Sequence, residues 1–115
     1  HRVGGLFGEI REREERIEKM EQANGEMLRK LDGEVASMQP TVAGHRTMRP
    51  TVNTFEAAEL ELDSARRRTE TSPGDPFKAG AMLESVESKL ERVRSMAQSD
   101  RELVDELSRR KLRAT

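Results

Sequence analysis

Apolar residues in the first third of the chain fall at Leu6, Ile10, Ile17, Met20, Met27, Leu31 and Met38. The steps between them are built from threes and fours, which keeps them on one stripe of a helix. Arg13 and Asn24 take polar positions in the same heptad frame. Phe7, Leu28 and Val35 widen the stripe to a second flank, as expected of a helix that touches two neighbours. Glu9 to Arg13, Glu12 to Arg16 and Glu15 to Lys19 are successive i,i+4 pairs with the acid N-terminal, each contributing about 0.2–0.5 kcal/mol to a solvated helix. Gly25 and Gly33 each weaken such a helix by about 1 kcal/mol relative to Ala, and Asn24-Gly25 is also a turn signal. The seam nevertheless keeps its phase from Met20 through Met27 to Leu31, so the pattern predicts one unbroken helix over residues 5–39. Pro40 is expected to end it at or just before Gln39.

Residues 40–51, PTVAGHRTMRPT, hold Pro40, Gly44 and Pro50 with no sustained period and read as a loop. A second helix is expected over 53–71, starting near Asn53 with Glu56 at capping-box spacing and a seam of Phe55, Ala58, Leu62, Ala65 and Thr69. Ser72, Pro73 and Gly74 then terminate it. Asp75 is placed to cap the next helix, and Pro76 suits the first helical position, where its missing N–H costs nothing. The third helix is expected over 76–112. Its seam is Ala79, Met82, Val86, Leu90, Val93, Ala97, Val104 and Leu107, broadened by Leu83, Met96 and Leu103.

These elements predict an all-α chain: a single elongated domain in which long, short and long helices form a three-helix bundle or antiparallel coiled coil. At 1.5 Å per residue the helices would span ~50, ~30 and ~55 Å. A middle helix that short returns only partway along its neighbours. Leu6, Phe7 and Ile10 at one end, and Leu103, Val104 and Leu107 at the other, are therefore expected to stand uncovered and to need partners.

Composition agrees with long amphipathic helices rather than a thick core, since 33% of the chain is hydrophobic, 37% is charged and Phe7, Phe55 and Phe77 are its aromatic residues. A formal net charge of −1, from 21 basic and 22 acidic residues, argues against a general nucleic-acid binder. With no cysteine, disulfides, thiolate nucleophiles and cysteine metal sites are excluded together. No run approaches the roughly 20 apolar residues of a membrane helix, and a cytoplasmic location is expected. The chain begins at His1, which leaves a fragment or a processed product as the expectation.

Candidate chemistry is sparse. His45, Arg46 and Arg49 form a small basic cluster that could receive a phosphate or an acidic partner, although a solvated linker explains it more simply, since no Gly-rich cradle accompanies it. His1 and His45, the two histidines, have no metal-ligand spacing. Arg66, Arg67 and Arg68 close the second helix, and Arg109, Arg110, Lys111 and Arg113 close the third, where cations complement the helix dipole. The terminal RRKLR keeps peripheral contact with anionic lipid or nucleic acid open, without aromatic residues to stack on bases. Acid pairs such as Glu14 with Glu15 lie on charged faces and support no acid–base role. Arg13 and Asn24 either specify register or partner choice, or lie where the bundle opens to water. The methionines fit an adaptable interface or, more commonly, core filling.

The third helix and its entry, DPFKAGAMLESVESKLERV, together with the helix before it, resemble spectrin-like repeats, particularly those of bacterial septation-ring regulators. The resemblance covers residues 50–107 and rests on Asp75, Phe77, Ala79, Leu83, Val86 and Leu90; the tryptophan that marks animal spectrin repeats is absent. It implies a scaffold or cytoskeleton-linked role. The expectation is thus a non-catalytic module for protein–protein assembly within a larger scaffold, self-associating as a dimer or binding another protein, with no cofactor, metal or small-molecule substrate. The alternative is a regulatory or chaperone-like helical module that holds an anionic or peptide partner on its basic C-terminal end. Self-association that ignores salt marks the first, and monomeric behaviour with salt-sensitive binding marks the second.

Overall fold

The computed structural model describes residues 2–114, with side chains described from 5 to 113. Among the described residues no strand occurs, and the chain forms three helices: α1 (Arg2–Ala43), α2 (Arg49–Thr71) and α3 (Pro76–Ala114). Helix α1 passes through Gly25 and Gly33 unbroken, as its continuous seam implies.

Two boundaries differ from the sequence expectation. Helix α1 does not stop before Pro40 but runs on to Ala43 with the proline inside it. A proline forfeits the bond to the carbonyl four residues earlier and crowds that carbonyl. Here the defect falls in the final turns, where Met38 and Val42 are both buried in the core and the Gly44 N–H closes the last turn on the Pro40 carbonyl at 3.2 Å. Burial of Val42 offsets the strain. Likewise α2 begins at Arg49, not near Asn53, so the connection shrinks from residues 40–51 to 44–48. Pro50 lies in the first turn of α2, where its ring is preorganised and its absent donor costs nothing. Asn53 is therefore no cap; its Oδ1 accepts a hydrogen bond from Arg49 at 3.3 Å. At the second corner α3 starts on Pro76, the position expected for it. Ser72 bonds back to the Arg68 carbonyl at 2.9 Å, and no residue there needs a positive φ.

The buried cluster takes Leu31, Met38 and Val42 from α1, Phe55, Ala58, Leu62 and Ala65 from α2, and Leu83, Val86, Leu90 and Val93 from α3. Each fully buried leucine contributes about 1.5–3 kcal/mol. Leu83, not Met82, takes the inner position on α3; Met82 is half-buried on its flank. Packing is most extensive between α2 and α3 and thinnest between α1 and α2, which is why Met27, Leu28 and Val35 are only partly covered. Ion pairs brace every interface: Asp32–Arg66 between α1 and α2, Glu61–Lys89 at 2.7 Å between α2 and α3, and Lys30–Glu87 at 3.7 Å and Glu34–Arg94 at 3.3 Å between α1 and α3.

The pairings make α1 and α3 parallel, with α2 antiparallel to both. At 1.5 Å per residue α1, α2 and α3 span about 63, 35 and 58 Å. The molecule measures 86 × 23 × 18 Å, longer than any one helix, because α1 and α3 are displaced along their common axis and overrun α2 at opposite ends.

Candidate interaction surfaces

Two polar contacts, one buried and one partly buried, mark where the three-helix region stops. At one end Asn24, 9% exposed, donates from Nδ2 to the Pro76 carbonyl at 3.0 Å, tying α1 to the first residue of α3. Gly80, one turn on, makes room for it: a Cβ there would stand 3.3 Å from Asn24 Oδ1. At the other end Thr51, 1% exposed, donates from Oγ1 to Asp100 Oδ2 at 2.7 Å, tying the start of α2 to α3. Of the two polar seam residues on α1, Asn24 is buried and bonded across to α3, while Arg13 is exposed beyond the bundle.

Beyond these contacts each long helix continues alone. On α1, Leu6, Phe7 and Ile10 are 58%, 64% and 51% exposed; on α3, Leu103, Val104 and Leu107 are 52%, 48% and 53% exposed. The seam does not end where its partners do. Along α3 the core positions Ala79, Leu83, Val86, Leu90, Val93 and Ala97 lead in alternating steps of four and three to Asp100, then to Val104 and Leu107. Along α1 the stripe of Leu31, Met27 and Met20 extends back through Ile17 to Ile10 and Leu6 in the same way. The free α1 stripe is bounded by Phe77, 64% exposed on the first turn of α3, so Ile17, Met20 and Phe77 line an open groove at the base of the projecting helix.

The basic clusters are less available than their sequence implies. Arg66 is engaged with Asp32 across the α1–α2 interface and Arg67 with Asp63 on its own helix, so both serve more than the helix dipole. Its hydrogen bond to Asp32 pushes the Arg66 guanidinium above its ordinary value against the effect of burial. At the C-terminal end Arg109 and Arg110 both reach Glu106, at 3.8 and 3.2 Å, and Lys111 is also engaged; Arg113 is exposed. His45 and Arg46 lie in the turn between α1 and α2, and Arg49, already bonded to Asn53, opens α2. The His45 ring is half-buried with Nδ1 facing no partner, while its carbonyl accepts from Met48 N–H at 2.8 Å. No cradle of donors converges there. His1 lies outside the described residues.

Sequence reasoning missed Thr51 and Asp100. The signal was present: one heptad step of four before Phe55 is Thr51, and one step of three after Ala97 is Asp100. Among the described residues no group of three or more acidic or histidine side chains could hold a metal ion, and no helix is long and apolar enough to cross a membrane. The chain matches no family model, no curated protein and no solved structure.

Proposed function

We propose that this chain is a non-catalytic assembly module, an elongated antiparallel coiled-coil bundle that joins other protein through the projecting ends of α1 and α3. The observation that carries the reading is the continuation of both apolar seams, in heptad register, past the point where α2 can cover them. A stripe that faces a neighbour inside the bundle keeps the same composition outside it, so a neighbour from another chain meets the same chemistry. Single exposed apolar residues are ordinary on protein surfaces, but a contiguous stripe at each end of an 86 Å rod is not. The likeness of residues 50–107 to spectrin-like repeats adds the context of a larger scaffold. The alternative, a module that holds an anionic partner on its basic C-terminal end, draws less support, because Arg109 and Arg110 are both engaged by Glu106.

Light scattering of the full chain and of a chain ending at Asp100 tests the proposal. The full chain should exceed its 13.1 kDa monomer mass as concentration rises, and the shortened chain should remain monomeric. Monomeric behaviour of both, over the same range, overturns the reading.

A further inference from the structure

We infer that the partner of each free end is the opposite end of a second copy of this chain, so that molecules join head to tail, the α3 extension of one lying along the α1 extension of the next. The inference rests on the assembly role proposed above and specifies its geometry.

Charge selects the pairing. Ahead of the Asn24 contact, residues 5–23 carry six acids (Glu9, Glu12, Glu14, Glu15, Glu18 and Glu21) against four bases, a net −2; Arg2 would bring the whole extension to −1. Past Asp100, residues 101–113 carry five bases against the three acids Glu102, Asp105 and Glu106, a net +2. Pairing like with like, α1 on α1 or α3 on α3, sets equal charges against each other along two short helices. Pairing unlike ends sets −1 to −2 against +2. Charge of this size acts mainly on partner choice and orientation, while the apolar stripes supply the adhesion.

Direction agrees with charge. Inside the bundle α1 and α3 already pack side by side in parallel, as the Lys30–Glu87 and Glu34–Arg94 pairs require. When a second molecule is stacked on the α3 end of the first, its α1 extension points back toward that end. The two extensions then run parallel, as the same two helices do in the core. The incoming α3 occupies the side of α1 left open below Pro76, against Ile17, Met20 and the exposed Phe77 ring. The joint thus repeats a contact the sequence already encodes, with Val104 and Leu107 continuing the seam that Leu90, Val93 and Ala97 present to α1 and α2. A contact between two different surfaces does not close on itself after one step. Repeated, it gives open linear chains instead of a closed dimer.

The test uses full-length chains in which one end at a time is silenced. Leu6→Gln with Ile10→Gln breaks the outer part of the α1 stripe, and Val104→Gln with Leu107→Gln breaks the α3 stripe. All four side chains are about half or more exposed, and glutamine preserves charge and helix propensity, so the bundle should melt as the wild type does. By sedimentation equilibrium, wild type should grow past twice the monomer mass as concentration rises. Each variant alone should stay at 13.1 kDa. Their equimolar mixture should reach twofold that mass and stop, because only one intact joint can form per pair. A variant that dimerises by itself would show like ends pairing and overturn the head-to-tail geometry while leaving the assembly role standing. A mixture that remains monomeric where wild type associates overturns it too. Wild type that never associates sinks both the geometry and the role beneath it.

Discussion

Asn24 and Gly80 act as a pair. Asn24 is held by its bond to the Pro76 carbonyl, and the missing side chain at Gly80 leaves its amide space. Glycine inside a helix costs about 0.5–1 kcal/mol relative to alanine, so a glycine that remains mid-helix must be judged by what a methyl group would meet. At Gly33 it meets nothing within 4 Å. Gly33→Ala should therefore raise stability by about 1 kcal/mol, near 4 °C in Tm for a chain of this size. Gly80→Ala gains the same propensity but presses on Asn24 Oδ1 at 3.3 Å, and the amide cannot retreat without loosening its buried bond. Thermal melts should place Gly80→Ala at or below wild type. Adding Asn24→Ala should relieve the pressure, so that Gly80→Ala becomes stabilising in that background. Equal gains from Gly33→Ala and Gly80→Ala in the wild-type background would refute the pairing.

At the scale of elements, the interface between α2 and α3 carries the one carboxyl pulled clearly from its ordinary value of 4.5 among the described residues. Burial alone would raise the Glu61 carboxyl, but hydrogen bonds with Lys89 and Ser85 and the Lys89 charge outweigh it and hold the carboxyl low. A depressed acid stabilises the fold above its unfolded value, and that stabilisation disappears as pH falls through the folded one. Both side chains are partly exposed, so about 0.5 kcal/mol is at stake. Lys89→Met keeps the stem and removes the charge. Denaturant titrations should show it about 0.5 kcal/mol below wild type above about pH 5, with the gap closing below about pH 4; a gap that persists at the acid end would point to lost packing instead. How far these elements were legible in the sequence depended on the signal used. Heptad phase carried α1 correctly through Gly25 and placed Phe55, Ala58, Leu62 and Ala65 on the inner face of α2. Local punctuation misled at both prolines: Pro40 reads as a stop and Pro50 as loop, yet burial of Val42 and Thr51 decided both boundaries. The burial of Thr51 involves Asp100 of α3, far from Pro50 in sequence. The six apolar residues of the two free ends were legible for the opposite reason, since their exposure follows from helix lengths alone.

The whole molecule behaves as a braced middle with two unbraced arms. Its radius of gyration is 21.1 Å, where a compact chain of this length would give about 13 Å. Hydrophobic burial is confined to the middle, between the Asn24 and Thr51–Asp100 contacts, whereas the described side chains of the arms are exposed or half-buried, with i,i+4 pairs such as Glu106–Arg110 along them. An isolated helix of ~14 residues, the length of the α3 arm, is marginal in water, and residues 5–14 of the α1 arm are all exposed, so the arms and the middle should open with very different free energies. Amide hydrogen exchange separates them. In dilute solution the amides of residues 83–97 should be the most protected, and those of 5–14 and 102–113 should exchange at nearly unprotected rates. As concentration rises into the range where chains associate, protection should appear at both arms together, because a head-to-tail joint orders one of each. Growth of protection at only one arm would require like ends to pair. Strong protection of both arms at the lowest concentration would mean that the arms need no partner to be ordered, and the physical reason for placing the assembly contacts there would be gone.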